Sequence, residues 1–186
     1  MRRPTFCTAV ALLLTAADTA ALTLCNPFDP QTLAEYETSL AREHPAFPHR
    51  RPEELAASTT PVLLLDVREA EEFAISHLDG AIHVAPDVSA SALRRQLAAL
   101  RGKLAPDTEV LFYCSVGYRS SKLAERVRKE LAAAGYPRVA NLRGGIFAWT
   151  NRGLPVVDAD GPTRAVHPYN ACFAPLLQRP PAAAPR

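Results

Sequence analysis

Short apolar segments without polar alternation are the feature of this sequence that most restricts its fold. The segment 61–67 reads Pro-Val-Leu-Leu-Leu-Asp-Val, with no alternation of apolar and polar residues. A strand of this kind is buried on both faces, as in a parallel sheet. We predict further strands at 81–84, 110–113 and 139–142.

Helix-forming segments separate the predicted strands. In the strongest of them, 120–134, the side chains of Leu123, Val127 and Leu131 share one face, and Gly135 ends the helix. Weaker patterns predict helices at 31–42, 52–56, 68–74, 89–100 and 146–151. Because strands alternate with helices, we predict an α/β fold: a single domain with a mainly parallel central sheet flanked by helices.

The two ends of the chain differ in composition from its centre. Residues 1–21 combine two arginines near the start with a short apolar run and small residues, as secretory signal peptides do. We therefore expect an exported protein, periplasmic or secreted, with an organellar or cytoplasmic protein as the alternative. The remaining chain is divided into an N-terminal arm (22–47), a domain (48–158) and a C-terminal extension (159–186) whose end is extended or disordered.

The leader and the overall charge argue against a membrane span and against a nucleic-acid partner. The apolar run of the leader is too short to cross a bilayer, and Asp18 follows it. Leu24 is too large for the residue before a lipidated cysteine, so lipidation of Cys25 is kept only as an alternative. The formal net charge is +2, and no basic stripe indicates nucleic-acid binding.

The four cysteines, Cys7, Cys25, Cys114 and Cys172, do not form a metal-binding pattern. No two of them have CxxC spacing, which argues against a zinc ribbon or a thioredoxin motif, and no His/Cys/Asp cluster has metal spacing, so we expect no metal site. Cys25 and Cys172 lie on either side of the predicted domain. A disulfide between them stays open, because connectivity cannot be read from sequence.

Cys114 stands at a strand–loop–helix junction. It follows the strand at 110–113, a loop continues to Arg119, and the strongest predicted helix begins at Ser120. A thiol at this place faces backbone N–H groups and the positive end of a helix dipole, which favour the thiolate. Gly117 lets the loop curl around the sulfur, and curled N–H groups form an anion-binding nest. The guanidinium of Arg119 suits the oxygen pair of a sulfonate or sulfite.

An ordinary buried cysteine is the alternative interpretation of Cys114, since free cysteine is among the most buried residue types. That alternative would also have to account for Gly117, Arg119 and the junction together. We therefore predict that Cys114 is the reactive residue of a site at the carboxyl edge of the sheet, where sites of open α/β folds lie.

Three motifs resemble those of the rhodanese-like family, the single-domain thiosulfate sulfurtransferases. The cysteine loop at 114–119, Cys-Ser-Val-Gly-Tyr-Arg, is similar to the family's CxxGxR loop. Segments 65–68, 72–73 and 77–82 resemble the family's first signature, and 142–149, Leu-Arg-Gly-Gly-Ile-Phe-Ala-Trp, resembles the second. The motifs also occur in the family's order.

The resemblance implies a sulfurtransferase that needs no cofactor. The thiolate of Cys114 would take the outer sulfur of a small anionic donor such as thiosulfate and hold it as a persulfide, which a thiol or cyanide would accept. Asp66 and Arg68 would brace the site. Contacts to the donor or persulfide would come from the rest of the loop: Ser115, Val116, Gly117, Tyr118, Arg119 and Ser120.

The length of the cysteine loop bears on the substrate. Four residues separate Cys114 from Arg119, whereas phosphatases that resemble this fold have five, so sulfur chemistry is favoured over phosphate or arsenate chemistry. Tyr118 departs from many sulfurtransferases and is expected to narrow the entrance to the site.

Two alternatives concern function. The chain could be a non-catalytic binding or redox-sensing module, and Cys172 could be a thiol that resolves oxidised Cys114 by forming a disulfide with it. The segment 167–170, His-Pro-Tyr-Asn, resembles a C-terminal extension of some bacterial members.

Overall fold

A parallel sheet forms the centre of the computed structural model, which describes residues 31–100, 102, 104, 105 and 107–178. Within those residues it has five strands: β1 (His49–Arg50), β2 (Val62–Asp66), β3 (Ile82–His83), β4 (Glu109–Tyr113) and β5 (Val139–Leu142). Their order across the sheet is β1-β5-β4-β2-β3, and each neighbouring pair is parallel. The predicted α/β fold is therefore confirmed.

Helices connect the strands and cover both faces of the sheet. In the described part of the chain they are α1 (Leu33–Glu43), α2 (Pro52–Ala56), α3 (Ala70–Ile75), α4 (Ala90–Ala98), α5 (Tyr118–Ala133) and α6 (Gly145–Asn151). An antiparallel hairpin of β6 (Val156–Asp158) and β7 (Gly161–Thr163) follows, and a short 3-10 helix (Ala174–Leu176) comes near the end.

The central strand β4 is buried along its whole length. Val110 and Phe112 pack into an apolar cluster that includes residues of α4 and α5, whereas Leu111 and Tyr113 pack into a second cluster with α6. Both faces of the strand therefore contact hydrophobic side chains. This double burial is the reason that the sequence of the strand shows no polar alternation.

The helix after the cysteine loop begins earlier than predicted. Gly117 has a φ of +97°, a left-handed conformation that glycine adopts without steric cost, and α5 starts at the next residue, Tyr118. The three residues Tyr118, Arg119 and Ser120 thus form the first turn of the helix. Their N–H groups have no partner within the helix, since an α-helix leaves its first N–H groups without one.

Strand β1 was not predicted. It pairs with β5, with His49 opposite Asn141 and Arg50 opposite Leu142. Two polar residues carry no periodic pattern, so only the neighbouring strand, which lies far along the chain, makes this segment extended.

The helix predicted in the N-terminal arm is confirmed as α1. Its start is a capping box: Thr32 Oγ accepts from the Glu35 N–H at 3.3 Å, and the Glu35 carboxylate accepts from the Thr32 N–H at 3.1 Å. Tyr36 and Leu40 of this helix are buried against the domain. The predicted signal peptide and Cys25 lie outside the described residues, as does the end of the extension at 179–186.

No helix in the described part of the chain combines the length and the apolarity that a membrane crossing needs.

Candidate active site

Cys114 directly follows the last residue of β4 and lies four residues before the start of α5. Its Sγ accepts a hydrogen bond from the N–H of Gly117 at 3.3 Å. A Cβ on Gly117 would lie 3.1 Å from Asn141 Nδ2 and 3.2 Å from the Leu142 carbonyl oxygen, tighter than ordinary contacts. Glycine is thus required here by both its φ and its surroundings, and the curled loop predicted around Cys114 is present.

The amino end of α6 holds the cysteine loop from behind. The Ile146 N–H donates to the Cys114 carbonyl at 2.9 Å, and the Phe147 N–H donates to the Ser115 carbonyl at 3.0 Å. A side chain on Gly145 would overlap the Cys114 carbonyl oxygen, so only glycine lets the two backbones approach this closely. Gly145 of the 142–149 segment therefore has a direct role in supporting the loop.

Arg119, Glu72 and Ser115 form a closed hydrogen-bonded triangle beside the sulfur. The guanidinium of Arg119 donates to both carboxylate oxygens of Glu72, at 2.8 and 2.9 Å, and to Ser115 Oγ at 3.0 Å. The Ser115 hydroxyl donates to Glu72 at 2.8 Å. The triangle ties the loop to α5 and α3 at once.

Burial and charge act in opposite directions on the pair Glu72–Arg119. Burial raises the pKa of Glu72, but hydrogen bonds from Arg119, the Glu69 backbone N–H and Ser115 lower it by more. Burial likewise lowers the pKa of Arg119, and the hydrogen bonds to Glu72 together with the charges of Cys114 and Glu72 raise it overall. Both groups are charged at neutral pH.

Glu72 was not among the predicted site residues, although it lies in a segment that resembles the family's first signature. Its place in that segment was the one sequence feature that could have identified Glu72 as a site residue. Nothing in the spacing of Glu72 and Arg119 along the chain shows that the two side chains meet. Tyr169 of the extension was also missed: its ring lies 4.6 Å from the Arg119 guanidinium carbon.

Asp66 and Arg68 form a second ion pair, and both side chains are 0% exposed. Asp66 accepts from the Arg68 backbone N–H and Nε, each at 3.0 Å, and from Nη2 at 2.7 Å. Arg68 also donates to the Ser76 carbonyl. The pair stands at the end of β2, next to Tyr113, whose pKa is raised well above its usual value by burial and then by the charge of Asp66. A bracing role for Asp66 and Arg68 stays a prediction.

The remaining loop residues occupy different depths. Val116 and Ser120 are buried, and Ser120 Oγ has no hydrogen-bond partner among the described residues. Tyr118 is 41% exposed, and Lys122 Nζ lies 4.3 Å from its ring centroid. A part for Tyr118 in narrowing the entrance and a part for Arg119 in donor binding both stay predictions.

Cys172 is disulfide-bonded, whereas Cys114 is a free thiol. The disulfide of Cys172 therefore does not join it to Cys114, as the resolving-thiol alternative would require. The alternative partner named above, Cys25, lies outside the described residues. Among the residues that the structure describes, no group of three or more His, Cys, Asp or Glu side chains is arranged to hold a metal ion.

Comparison with known proteins gives one family. The rhodanese-like domain matches residues 52–152 of the chain. A sulfurtransferase of Allochromatium vinosum is 35% identical over 106 residues, which cover 56% of this chain and 87% of that protein. Thiosulfate sulfurtransferase GlpE of Actinobacillus succinogenes is 31% identical over 103 residues, or 55% of this chain and 82% of that one.

A solved structure agrees with these sequence matches. The crystal structure of thiosulfate sulfurtransferase from Pseudomonas aeruginosa superposes with a TM-score of 0.50 at 25% identity. The match covers 77% of this chain but only 26% of that one, so this chain corresponds to about a quarter of the larger protein.

Proposed function

This chain belongs to the rhodanese-like family, and on that premise we propose that it is a sulfurtransferase that carries a sulfane sulfur as a persulfide on Cys114. The observation that carries the proposal is the position of the thiol. Cys114 Sγ accepts the Gly117 N–H at 3.3 Å, immediately before the amino end of α5. Backbone N–H groups and a helix dipole at this point stabilise negative charge on sulfur.

Sulfur uptake follows from attack by the Cys114 thiolate on the outer sulfur of a donor such as thiosulfate. A new S–S bond forms to Cys114, the S–S bond of thiosulfate breaks, and sulfite leaves with the bonding electron pair. The negative terminal sulfur of the persulfide is then stabilised by the Gly117 N–H and by the N–H groups of the first turn of α5.

In sulfur release, Cys114 is the leaving group instead of the nucleophile. Cyanide or a thiolate attacks the terminal sulfur, thiocyanate or a new persulfide departs, and the Cys114 thiolate is restored. In each step the attacking species is an anion, a thiolate or cyanide, so no proton has to be removed from it during the displacement.

Access favours a small donor or one with a projecting sulfur atom. Cys114 is 1% exposed, so only a small part of its side chain is open to an approaching donor. Arg119 supplies the positive charge: burial lowers its pKa, but the hydrogen bonds to Glu72 and then the charge of Cys114 raise it overall. Its terminal N–H groups contact Glu72 and Ser115, so we expect Arg119 to attract an anionic donor mainly by charge.

The test is intact-mass analysis of the full chain after incubation with thiosulfate, and separately with an alkyl persulfide. We expect a gain of one sulfur atom that maps to Cys114 and that cyanide removes as thiocyanate. Cys114→Ser is expected to lose all turnover while its thermal unfolding stays close to that of the wild type. Failure of every donor to leave sulfur on Cys114 would overturn the proposal.

Export is proposed on a separate observation. Cys172 is disulfide-bonded, and disulfides persist mainly in oxidising compartments such as the periplasm or the extracellular space. A fusion of the first 30 residues to a reporter that is active only after export tests this. Activity of the reporter supports export, and its absence, together with cytoplasmic fractionation of the full chain, contradicts it.

A further inference from the structure

The C-terminal extension contributes a side chain to the candidate active site. Tyr169 lies beyond residues 52–152, the part that matches the family. Its ring centroid is 4.6 Å from the guanidinium carbon of Arg119, within the range of a cation–π contact. The edge of the same guanidinium is held by Glu72 and Ser115. Arg119 is therefore held along its edge by the domain and over one face by the extension.

The extension is anchored on both sides of Tyr169. Val166 and Leu176 are buried in the same apolar cluster as Trp149, and Asn151 Nδ2 donates to the Leu176 carbonyl at 2.9 Å. Tyr169 thus lies on a segment that is fastened to the domain before and after it.

Aromatic contacts support the ring of Tyr169 itself. Phe173 meets it edge-on, with ring centroids 5.1 Å apart, and Phe173 also contacts the ring of Tyr36 of α1, with centroids 5.6 Å apart. Edge-to-face pairs at this separation are favourable. The N-terminal arm and the extension therefore meet beside Arg119.

The backbone of Tyr169 is held in a conformation that its residue type avoids. Its φ is +67°, and among the described residues other than glycine it alone has a positive φ. Such a conformation persists only where the surroundings impose it. Here the Tyr169 N–H donates to His167 Nδ1 at 3.0 Å, and Asn170 Oδ1 accepts the backbone N–H groups of Cys172 and Phe173.

We propose that Tyr169 is a positioning residue for sulfur transfer: its ring holds the guanidinium of Arg119 in the plane in which it binds Glu72 and Ser115. Ser115 follows Cys114 directly, so the effect of Tyr169 reaches the sulfur through Arg119 and the loop. This proposal rests on the proposed sulfurtransferase function.

The test compares the full chain with Tyr169→Leu, which removes the ring, and with Tyr169→Phe, which keeps it. The assay is kcat/KM for thiosulfate with cyanide as acceptor and no added reductant, so that the disulfide of Cys172 is kept. Tyr169→Leu is expected to lower kcat/KM by about fivefold, the size of effect that a contact of this kind supports. Tyr169→Phe is expected to retain the wild-type value.

A double-mutant cycle shows whether the effect passes through Arg119. With Arg119→Gln already in place, Tyr169→Leu should change kcat/KM no further, and Arg119→Met, which also removes the cation, serves if Arg119→Gln does not fold. An unchanged kcat/KM in Tyr169→Leu, or an equal loss with and without Arg119, would overturn the proposal.

The rate at which iodoacetamide alkylates Cys114, mapped by peptide mass, separates this proposal from the sulfurtransferase proposal. It reports on the loop even if no donor leaves a persulfide. A slower alkylation in Tyr169→Leu that Tyr169→Phe does not share supports the positioning role, and equal rates in all three proteins contradict it.

Discussion

Two arginine–carboxylate pairs stand at the carboxyl end of the sheet, and they differ in depth and in separation along the chain. Asp66 and Arg68 are two residues apart, and both side chains are fully buried. Glu72 and Arg119 are 47 residues apart, and the Arg119 side chain is 19% exposed. The second pair also contacts Ser115 of the cysteine loop, which the first does not.

The difference indicates that the Asp66–Arg68 pair mainly stabilises the fold, whereas the Glu72–Arg119 pair mainly affects the reactivity of Cys114. Two charges sealed from water depend on each other, because removal of one leaves the other buried without a partner. In the Glu72–Arg119 pair, Glu72 is buried with 2% of its side chain exposed, but 19% of the Arg119 side chain reaches water, so loss of this pair is less costly to folding. Because this pair contacts Ser115 of the cysteine loop, its loss is expected to act more strongly on the reactivity of Cys114.

The largest effect on stability is expected for Arg68→Met, which leaves the Asp66 carboxylate buried and unpaired. Breaking a buried pair in this way costs about 3–5 kcal/mol of unfolding free energy. Urea denaturation measures it. The control is Arg128→Met, which removes a partly exposed partner of Glu125 and should cost about 1 kcal/mol or less. Equal losses in the two variants would remove the distinction between the pairs.

Glu72→Gln is expected to destabilise the fold less and to affect sulfur transfer more. The amide keeps the shape but cannot accept Arg119 on both sides, so we expect a loss of about 1–3 kcal/mol. The rate of persulfide formation should fall by about tenfold, because the loop is held less precisely. Glu71→Gln, an exposed neighbour on α3, is the matched control. Near-normal persulfide formation in Glu72→Gln would show that the triangle does not serve the chemistry.

The pair Glu72–Arg119 also predicts an acid-dependent loss of stability. The pKa of Glu72 is lowered in the folded protein, since hydrogen bonds, chiefly from Arg119, more than offset the opposing effect of burial. Its contribution is therefore complete above the unfolded pKa of about 4.3 and is lost as pH falls through the folded pKa. Urea denaturation from neutral pH downward should show the stability gap between wild type and Glu72→Gln shrinking below about pH 4. A gap that stays constant would contradict this.

The smallest effect is expected for Glu69→Gln. The Glu69 carboxylate lies 3.7 Å from Arg119 Nη1, but its side chain is 58% exposed. Exposed ion pairs contribute about 0–1 kcal/mol, so stability and persulfide formation should both stay near the wild-type values. A loss as large as that of Glu72→Gln would mean that the charge around Arg119, and not the buried hydrogen bonds, is what matters.

Features that depend on consecutive residues could be predicted from the sequence, whereas features that depend on residues far apart along the chain could not. The unbroken apolar segments predicted the parallel sheet, because burial on both faces is written into a few consecutive residues. Helix α5 was found but its start was not, since the left-handed Gly117 moved the first turn into the predicted loop. Strand β1 was missed because its partner lies about ninety residues further on.

Short segments of the sequence were enough to predict the α/β class and the strand–loop–helix setting of Cys114, and a motif within one such segment gave Asp66 and Arg68 as residues that brace the site. Only the tertiary structure brought Glu72 and Ser115 to Arg119, placed Gly145 against the Cys114 carbonyl and laid Tyr169 over the guanidinium. The physical reason is that local pattern encodes burial and backbone conformation. Which distant side chains meet depends instead on how whole helices and segments pack.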